Sequence, residues 1–459
     1  MPAIVSPRVW WPAPAAAWAR LRQEGPGQAG GWLACHVMLV VAAVERTIFM
    51  ALNNPVNGQF SDMKGYIERA WHLGTGVPLN KFDAFFPPGT HVLMAPAFAV
   101  TQNMHQGLWL NVGLWWVLAM LTVVGVGALA WVLFEHPVAV ALSMGFLEAH
   151  YTFGLYAGFF LSELPYACAM VWSWTLALRA LKDGVRPGLL AWSGVLSGMA
   201  LTMRPQLAVA LMLVPLLLWV ARGRGAVVTA GVAWVLALSM PVALALALQT
   251  KAWGGPSGLA HNGGFNFYQG HCEVGTVETR SNHGVYIWAS PARMQRLQRE
   301  GRTDVRTVIE GHMAWENDYF FALGLECIKQ DGWAHLRRIA TNIADFYWAT
   351  TPWPSGGPAE PVTRAGNQMY CALLGFTVLW ALRRGRHRFA ERFLLFQQLA
   401  ALPVAVLIYG DCRFRISHDV FGVVLLAGLL CTRAGLRAPE PGAAPLPTPA
   451  PPVPPPAVA

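Results

Sequence analysis

Long apolar runs with almost no charge inside them recur along this chain, and they constrain its fold more than any other feature. Between Gly107 and Leu133 no charged side chain occurs. A helix needs about 20 such residues to cross the hydrocarbon core of a bilayer, where each backbone polar group must find its partner within the protein. Repeated runs of this kind predict an all-α polytopic membrane protein. With 55% apolar and 12% charged residues and a mean hydropathy of +0.39, the chain has too little polar surface for a water-soluble globule.

Most of the formal charge of +9 comes from arginines in short connections between the runs. Basic connections of that kind report orientation rather than a nucleic-acid partner, and none is expected. The first residues lack the charged start, apolar core and small-residue cleavage site of a signal peptide, so the first span is expected to serve as its own insertion signal. With basic segments kept in the cytoplasm, the runs read as ten spans: 32–52, 107–133, 137–152, 158–181, 188–203, 206–221, 226–249, 367–382, 393–409 and 416–432. The domain reading is a cytoplasmic segment 1–31, a membrane module 32–249 with a first outer loop 53–106, and a large outer loop 250–366. Membrane helices 367–433 and a disordered Pro/Ala-rich tail 434–459 complete it.

In the first outer loop the apolar piece His91–Val100 is too short to span and reads as a surface helix. In the large loop, 304–330 and 333–347 have amphipathic helical spacing. No repeat of fixed period and no matched pair of broken helices is visible, which lowers a transporter reading. Seven cysteines provide neither a CxxC pair nor a metal-ligand spacing. Cys35, Cys168, Cys371 and Cys431 fall in apolar runs, where Cys acts as a small hydrophobe. Cys272, Cys327 and Cys412 fall on the outer side, where an oxidising compartment would permit a disulfide such as Cys272 to Cys327.

On this topology polar residues converge at one membrane boundary: Asp62 and Lys64 in the first loop, His91 after the double proline, and Glu163 at the outer end of the fourth span. Arg204 at an outer turn joins them, as do Asp411, Arg413, Arg415, His418 and Asp419 before the last span. A carboxylate leaving a membrane helix beside an apolar body able to hold a lipid is placed to act as a base on a water-soluble acceptor, which makes Asp62 the candidate catalytic residue. Glu163 lies within an apolar run, where an unpaired carboxylate is expensive, and so reads as a second catalytic-site residue, acting directly or as partner to an arginine. Guanidinium grips phosphate bidentately, so the arginines suit a polyprenyl phosphate whose charge stays at the interface while its tail enters the bilayer. Plainer readings stand beside these. Asp62 can open a surface helix, the arginines can be interfacial anchors, and His91 reads as an interfacial hydrogen-bonding residue more readily than as a ligand. No HExxH, GxGxxG or P-loop occurs.

Several local patterns carry a family resemblance: Ser61-Asp62 with Tyr66 and Ala70, Phe86-Pro87-Pro88-Gly89, Ser162-Glu163-Leu164-Pro165, Leu201-Thr202-Met203-Arg204-Pro205, Asn262 through Gly270, Glu316 through Phe346, and Arg413-Phe414-Arg415-Ile416. In this order the chain resembles the GT-C glycosyltransferases, and within them the bacterial members similar to protein mannosyltransferases and aminoarabinose transferases. The resemblance implies a sugar transferred from a polyprenyl-phosphate donor to a glycan, lipid or protein acceptor at the outer face of the cytoplasmic (inner) membrane. It implies Asp62 as general base, with Lys64, Tyr66, His91, Arg204, Arg413, Arg415 and His418 around the substrates. Gln269-Gly270-His271 replaces the Gly-Asn pair of the family pattern, and Ser417-His418-Asp419 lacks its proline. Some relatives use a divalent metal beside the loop acid, leaving room for one near Asp62, though no ligand set here compels it. The alternative reading is a transporter or flippase of lipid-linked saccharides that binds phosphate without chemistry; a membrane scaffold is a third.

Overall fold

The structure, a computed structural model, describes residues 26–59, 62–182, 185–211, 224–272, 278–280, 286–288, 317–349, 360–384, 389–408 and 410–436. Helices dominate these residues; β1 (Glu278–Arg280) and β2 (Tyr286–Trp288) form one short antiparallel pair.

The chain enters through α1 (Pro26–Leu52), then forms α2 (Asp62–Thr75) and α3 (Gly89–Thr101) in the first loop segment. Next comes α4 (Met104–Phe134), started by Asn103, whose side chain accepts from the Gln106 amide at 3.0 Å. It satisfies one of the amide groups that a helix start leaves without a partner. Pro137 at the first position and the His136 side chain then start α5 (Pro137–Glu148). The short α6 (Tyr151–Leu155) follows at a 69° bend. The run 137–152, expected as one straight span, is therefore broken. At the break His150 caps the Phe153 amide at 3.4 Å with one ring nitrogen and meets the Asp419 carboxylate at 3.0 Å with the other.

The remaining helices are α7 (Glu163–Lys182), α8 (Pro187–Met203), α9 (Arg224–Trp253), α10 (Gly263–His271), α11 (Asn317–Asp331), α12 (His335–Ala344), α13 (Glu360–Arg383), α14 (Phe389–Leu399), α15 (Leu402–Leu407) and α16 (Cys412–Arg433). Among the described residues five helical stretches are long and apolar enough to cross a membrane: Gly30–Leu52, Met104–Phe134, Ala230–Trp253, Phe389–Leu407 and Cys412–Arg433. The bent pair adds a sixth if it counts as one span. That is fewer than the ten runs in the sequence. Runs 158–181 and 367–382 lie on α7 and α13, which are less uniformly apolar, and 188–203 lies on the shorter α8. Run 206–221 extends past Leu211, outside the described residues, as do 304–316, the N-terminal segment and the tail.

The packing sorts these helices into inner and outer ones. In α16, 94% of the apolar stretch is buried against the rest of the protein, whereas the figures for α1 and α9 are 22% and 17%. Leu236 and Val40 on the outer helices are each 65% exposed, as side chains facing lipid should be. Nearly all of α7 is buried as well. Inside the apolar body polar side chains pair with one another: the Ser173 hydroxyl meets those of Ser193 and Ser197 at 3.1 and 2.6 Å. A buried polar group without such a partner would be costly.

A cavity shared by an acid and two guanidinium groups

Asp62 is the first residue of α2, and Tyr66 follows one turn later on the same face. The Tyr66 ring stacks on Phe86, 4.9 Å between centroids, and the Arg69 guanidinium lies 4.8 Å from that same Phe86 ring. Gln249 of α9 donates to the carbonyls of Phe86 and Leu259 at 3.0 and 2.7 Å, which ties the aromatic-proline segment to the chain leading into α10. At Gly89 an added Cβ would press on Thr202 and Met203, so only glycine lets the start of α3 lie against the turn that presents Arg204. Thus Phe86-Pro87 and Arg204-Pro205, far apart in sequence, meet along one wall.

Glu163 is the first residue of α7 and is 1% exposed. Its Oε1 is paired with Arg204 Nη2 at 2.5 Å and with Arg413 Nε. Arg413 Nη1 reaches Asp62 Oδ2 at 2.8 Å, so one guanidinium spans two carboxylates. Arg204 also donates through Nε to Ser162 Oγ at 3.1 Å and lies 5.2 Å from the Phe414 ring, while its buried Nη1 has no hydrogen-bond partner among the described residues. Asp411 caps α16 by accepting the Arg413 amide at 2.8 Å. Asp62, Tyr66, Arg204, Asp411 and Arg413 all line one cavity of about 550 Å³, whose aromatic walls include Phe85, Phe86, Phe265 and Phe414. Burial and the neighbouring Asp62 charge push the Tyr66 hydroxyl up to about 12, so it stays protonated. Burial also raises the Asp411 carboxyl against the opposing pull of Arg413.

Of the residues singled out in the sequence, Asp62, Tyr66, Arg204 and Arg413 come together around this cavity, and Glu163 lies directly behind the two arginines. Lys64 is exposed and does not line it. His91 is buried beside the Arg69 charge, its Nδ1 without a partner among the described residues, and burial drives its ring down to about 3. Arg415 and His418 lie in a different cluster. Arg415 binds Asp419 at 3.1 Å, Cys371 Sγ at 2.8 Å and the carbonyls of Phe346 and Tyr347 at 3.2 Å. His418 joins the Tyr166 hydroxyl to the Gln397 carbonyl at 3.0 and 2.8 Å. Both are fully buried, where they stitch α16 to its neighbours. Sequence reasoning missed Asn262, Asn266 and Gln269, which line the cavity from the start of α10 and along one stripe of it. Their 4,3 spacing was the available signal.

Cys272, just after α10, is disulfide-bonded to Cys327 of α11, with Cα atoms 5.3 Å apart. No group of three or more His, Cys, Asp or Glu side chains that could hold a metal ion occurs among the described residues. The carboxylates of Asp62 and Glu163 are instead committed to guanidinium groups.

These features define a polytopic helical membrane protein with an acid–guanidinium cavity beside its apolar body. No protein-family model and no curated protein matches the chain. Its fold is similar to that of a solved archaeal oligosaccharyltransferase, AglB from Archaeoglobus fulgidus, in complex with an inhibitory peptide and a dolichol-phosphate. The TM-score is 0.49 at 13% identity, covering 88% of this chain and 51% of that one. A second structure of an Archaeoglobus fulgidus oligosaccharyltransferase, in complex with Zn and sulfate, matches with TM-score 0.49 and 13% identity over 87% of this chain and 49% of that one. The chain thus spans about half the length of these solved structures.

Proposed function

We propose that the protein is an integral membrane glycosyltransferase of GT-C type that moves a sugar from a polyprenyl-phosphate donor to an acceptor, with Asp62 as general base. The observation that carries this reading is the meeting of Asp62, Arg204 and Arg413 at one cavity, assembled from three distant parts of the chain in the order the family resemblance implies. Among the described residues Arg204 has a buried N–H without a partner and Arg413 is shared between two acids, so both can take a phosphate oxygen. A phosphate arriving at Arg413 would compete with Asp62 for the guanidinium and free that carboxylate to act as a base. Asp62 then accepts the proton of the acceptor hydroxyl as its oxygen bonds to the anomeric carbon. The bond from that carbon to the phosphate oxygen breaks with inversion, and the lipid phosphate leaves as an anion held by the arginines. Glu163 touches neither substrate in this scheme and serves to aim both guanidinium groups.

Asp62→Asn separates transfer from transport of the same lipid. Turnover should fall about a hundredfold or more, as loss of a general base does, while donor binding persists. Transfer retained by this variant overturns the base assignment, and lipid movement without transfer in the wild type favours a flippase. The orientation that accompanies this reading has ten spans, both termini in the cytoplasm and the cavity opening to the periplasm or exterior. A cysteine introduced by Lys64→Cys should react with an impermeant thiol reagent on intact cells. Protection there, with reaction only after lysis, reverses the orientation.

A further inference from the structure

We infer that the cavity-lining stripe of α10 reads the glycosyl group of the donor and that this group is an uncharged hexose with its ring hydroxyls free; the inference rests on the transferase reading above. Asn262, Asn266 and Gln269 stand four and three residues apart, which puts them on one side of a helix, and all three line the cavity that holds Asp62, Arg204 and Arg413. None of the three amides has a side-chain hydrogen bond among the described residues.

Asn262 is the telling member. It stands at the N-cap of α10, where an asparagine side chain ordinarily accepts a hydrogen bond from the first turn, yet it makes none. The task is done from outside: Asn317 Oδ1 of α11 accepts the Gly264 amide at 2.6 Å. A Cβ at residue 264 would strike the Asn317 backbone carbonyl, so only glycine permits this approach. Asn317 thus caps the helix and leaves the Asn262 amide for the cavity.

The rest of α10 is fixed in place. Tyr268 packs 5.5 Å from the Phe320 ring, and Cys272 is bonded to Cys327. Asn342 donates to the Gly270 carbonyl at 2.9 Å, and His271 bridges the Leu407 carbonyl at 3.2 Å and His335 at 2.8 Å. These contacts fix the backbone of α10, so the positions from which the three amides enter the cavity are set before a ligand arrives, which lowers the entropy lost on binding.

A carboxamide offers one acceptor and two donors, and a sugar hydroxyl both gives and accepts, so three adjacent carboxamides match a polyhydroxylated ring. Phe265 lines the cavity beside them, a flat apolar surface for the C–H face of such a ring. The stripe itself brings no formal charge, so it supplies no opposite charge that would favour a carboxylate or an ammonium over a neutral hydroxyl on the sugar.

The test uses the full chain in detergent and measures Kd for a short-chain polyprenyl phosphate, for the same lipid carrying mannose, glucose or galactose, and for the lipid carrying a uronic acid or an amino sugar. At least one neutral hexose should tighten binding about tenfold over the bare lipid, the worth of one or two added hydrogen bonds. Asn266→Leu and Gln269→Leu should each remove most of that gain and leave binding of the bare lipid unchanged. Equal Kd for bare and hexose-bearing lipid, a gain that survives both variants, or an equal gain from the charged sugars would overturn the inference while leaving the transferase reading in place. A wild type that binds none of the lipids would remove the transferase reading itself.

Discussion

Arg413 is the residue on which the site turns. One side chain contacts Asp62 from the first loop and Glu163 from the start of α7, and both contacts depend on the fork of a guanidinium, which a lysine lacks. Glu163, 1% exposed, is tolerable in so dry a place only because two guanidinium groups surround it. At His91 the same physics acts in the opposite sense. Burial holds its ring at about 3, well below the value near 6.5 of an unfolded histidine. The unfolded chain therefore takes up a proton that the folded chain refuses as pH falls from about 6.5 towards 3. His91 contributes its full stability above that window and loses it progressively within it, about 2 kcal/mol by pH 5. Unfolding in detergent at pH 7.5 and 5 should show the acid-induced loss for the wild type and a smaller one for His91→Asn; an identical loss in both would show that His91 does not titrate in this way. The sequence made the chemistry of these residues legible but not their neighbours. Asp62, Glu163, Arg204 and Arg413 stand out because charge beside an apolar run is costly. Arg415 and His418 stand out for the same reason, yet they meet Asp419 and Tyr166 in the core. Cost alone cannot distinguish a ligand-binding arginine from one satisfied by an acid a single turn away.

At the scale of elements, α10 has the most to do with the least length. Nine residues form it, too few for a stable helix in water, and α11, α12 and α15 supply what its own length cannot. The disulfide to α11 closes a separation of 55 residues, for which the chain-entropy model assigns about 4 kcal/mol. Cys272→Ser with Cys327→Ser should lower the unfolding temperature of the purified protein, and reduction of the wild type should reproduce the shift; a double variant as stable as the oxidised wild type would contradict this account. Pairing of these cysteines was one possibility the sequence permitted, while the capping of α10 by Asn317 had no local signature, since the two residues lie 53 positions apart. The break after Glu148 was equally hidden. At the break His150 reaches Asp419, a contact across 269 positions, whereas the sequence shows only Glu148 and His150 near the end of an otherwise apolar run.

For the whole molecule, hydropathy was a sufficient guide to class and an incomplete one to architecture. It marks the membrane-crossing helices but cannot rank them, and α16, the most enclosed, owes its position to paired charges as much as to apolar surface. That enclosed helix carries Arg413 near its start, where Arg204 and Glu163 from elsewhere in the apolar body meet it and the first loop brings Asp62. The architecture thus joins a lipid-compatible body to a largely apolar cavity of about 550 Å³ that carries Asp62, Arg204 and Arg413, which suits the lipid-linked donor proposed above. Donor choice tests this most directly. The purified chain should transfer hexose from a short-chain polyprenyl-phosphate hexose and not from the corresponding nucleotide sugar; transfer from the nucleotide sugar in place of the lipid would contradict it.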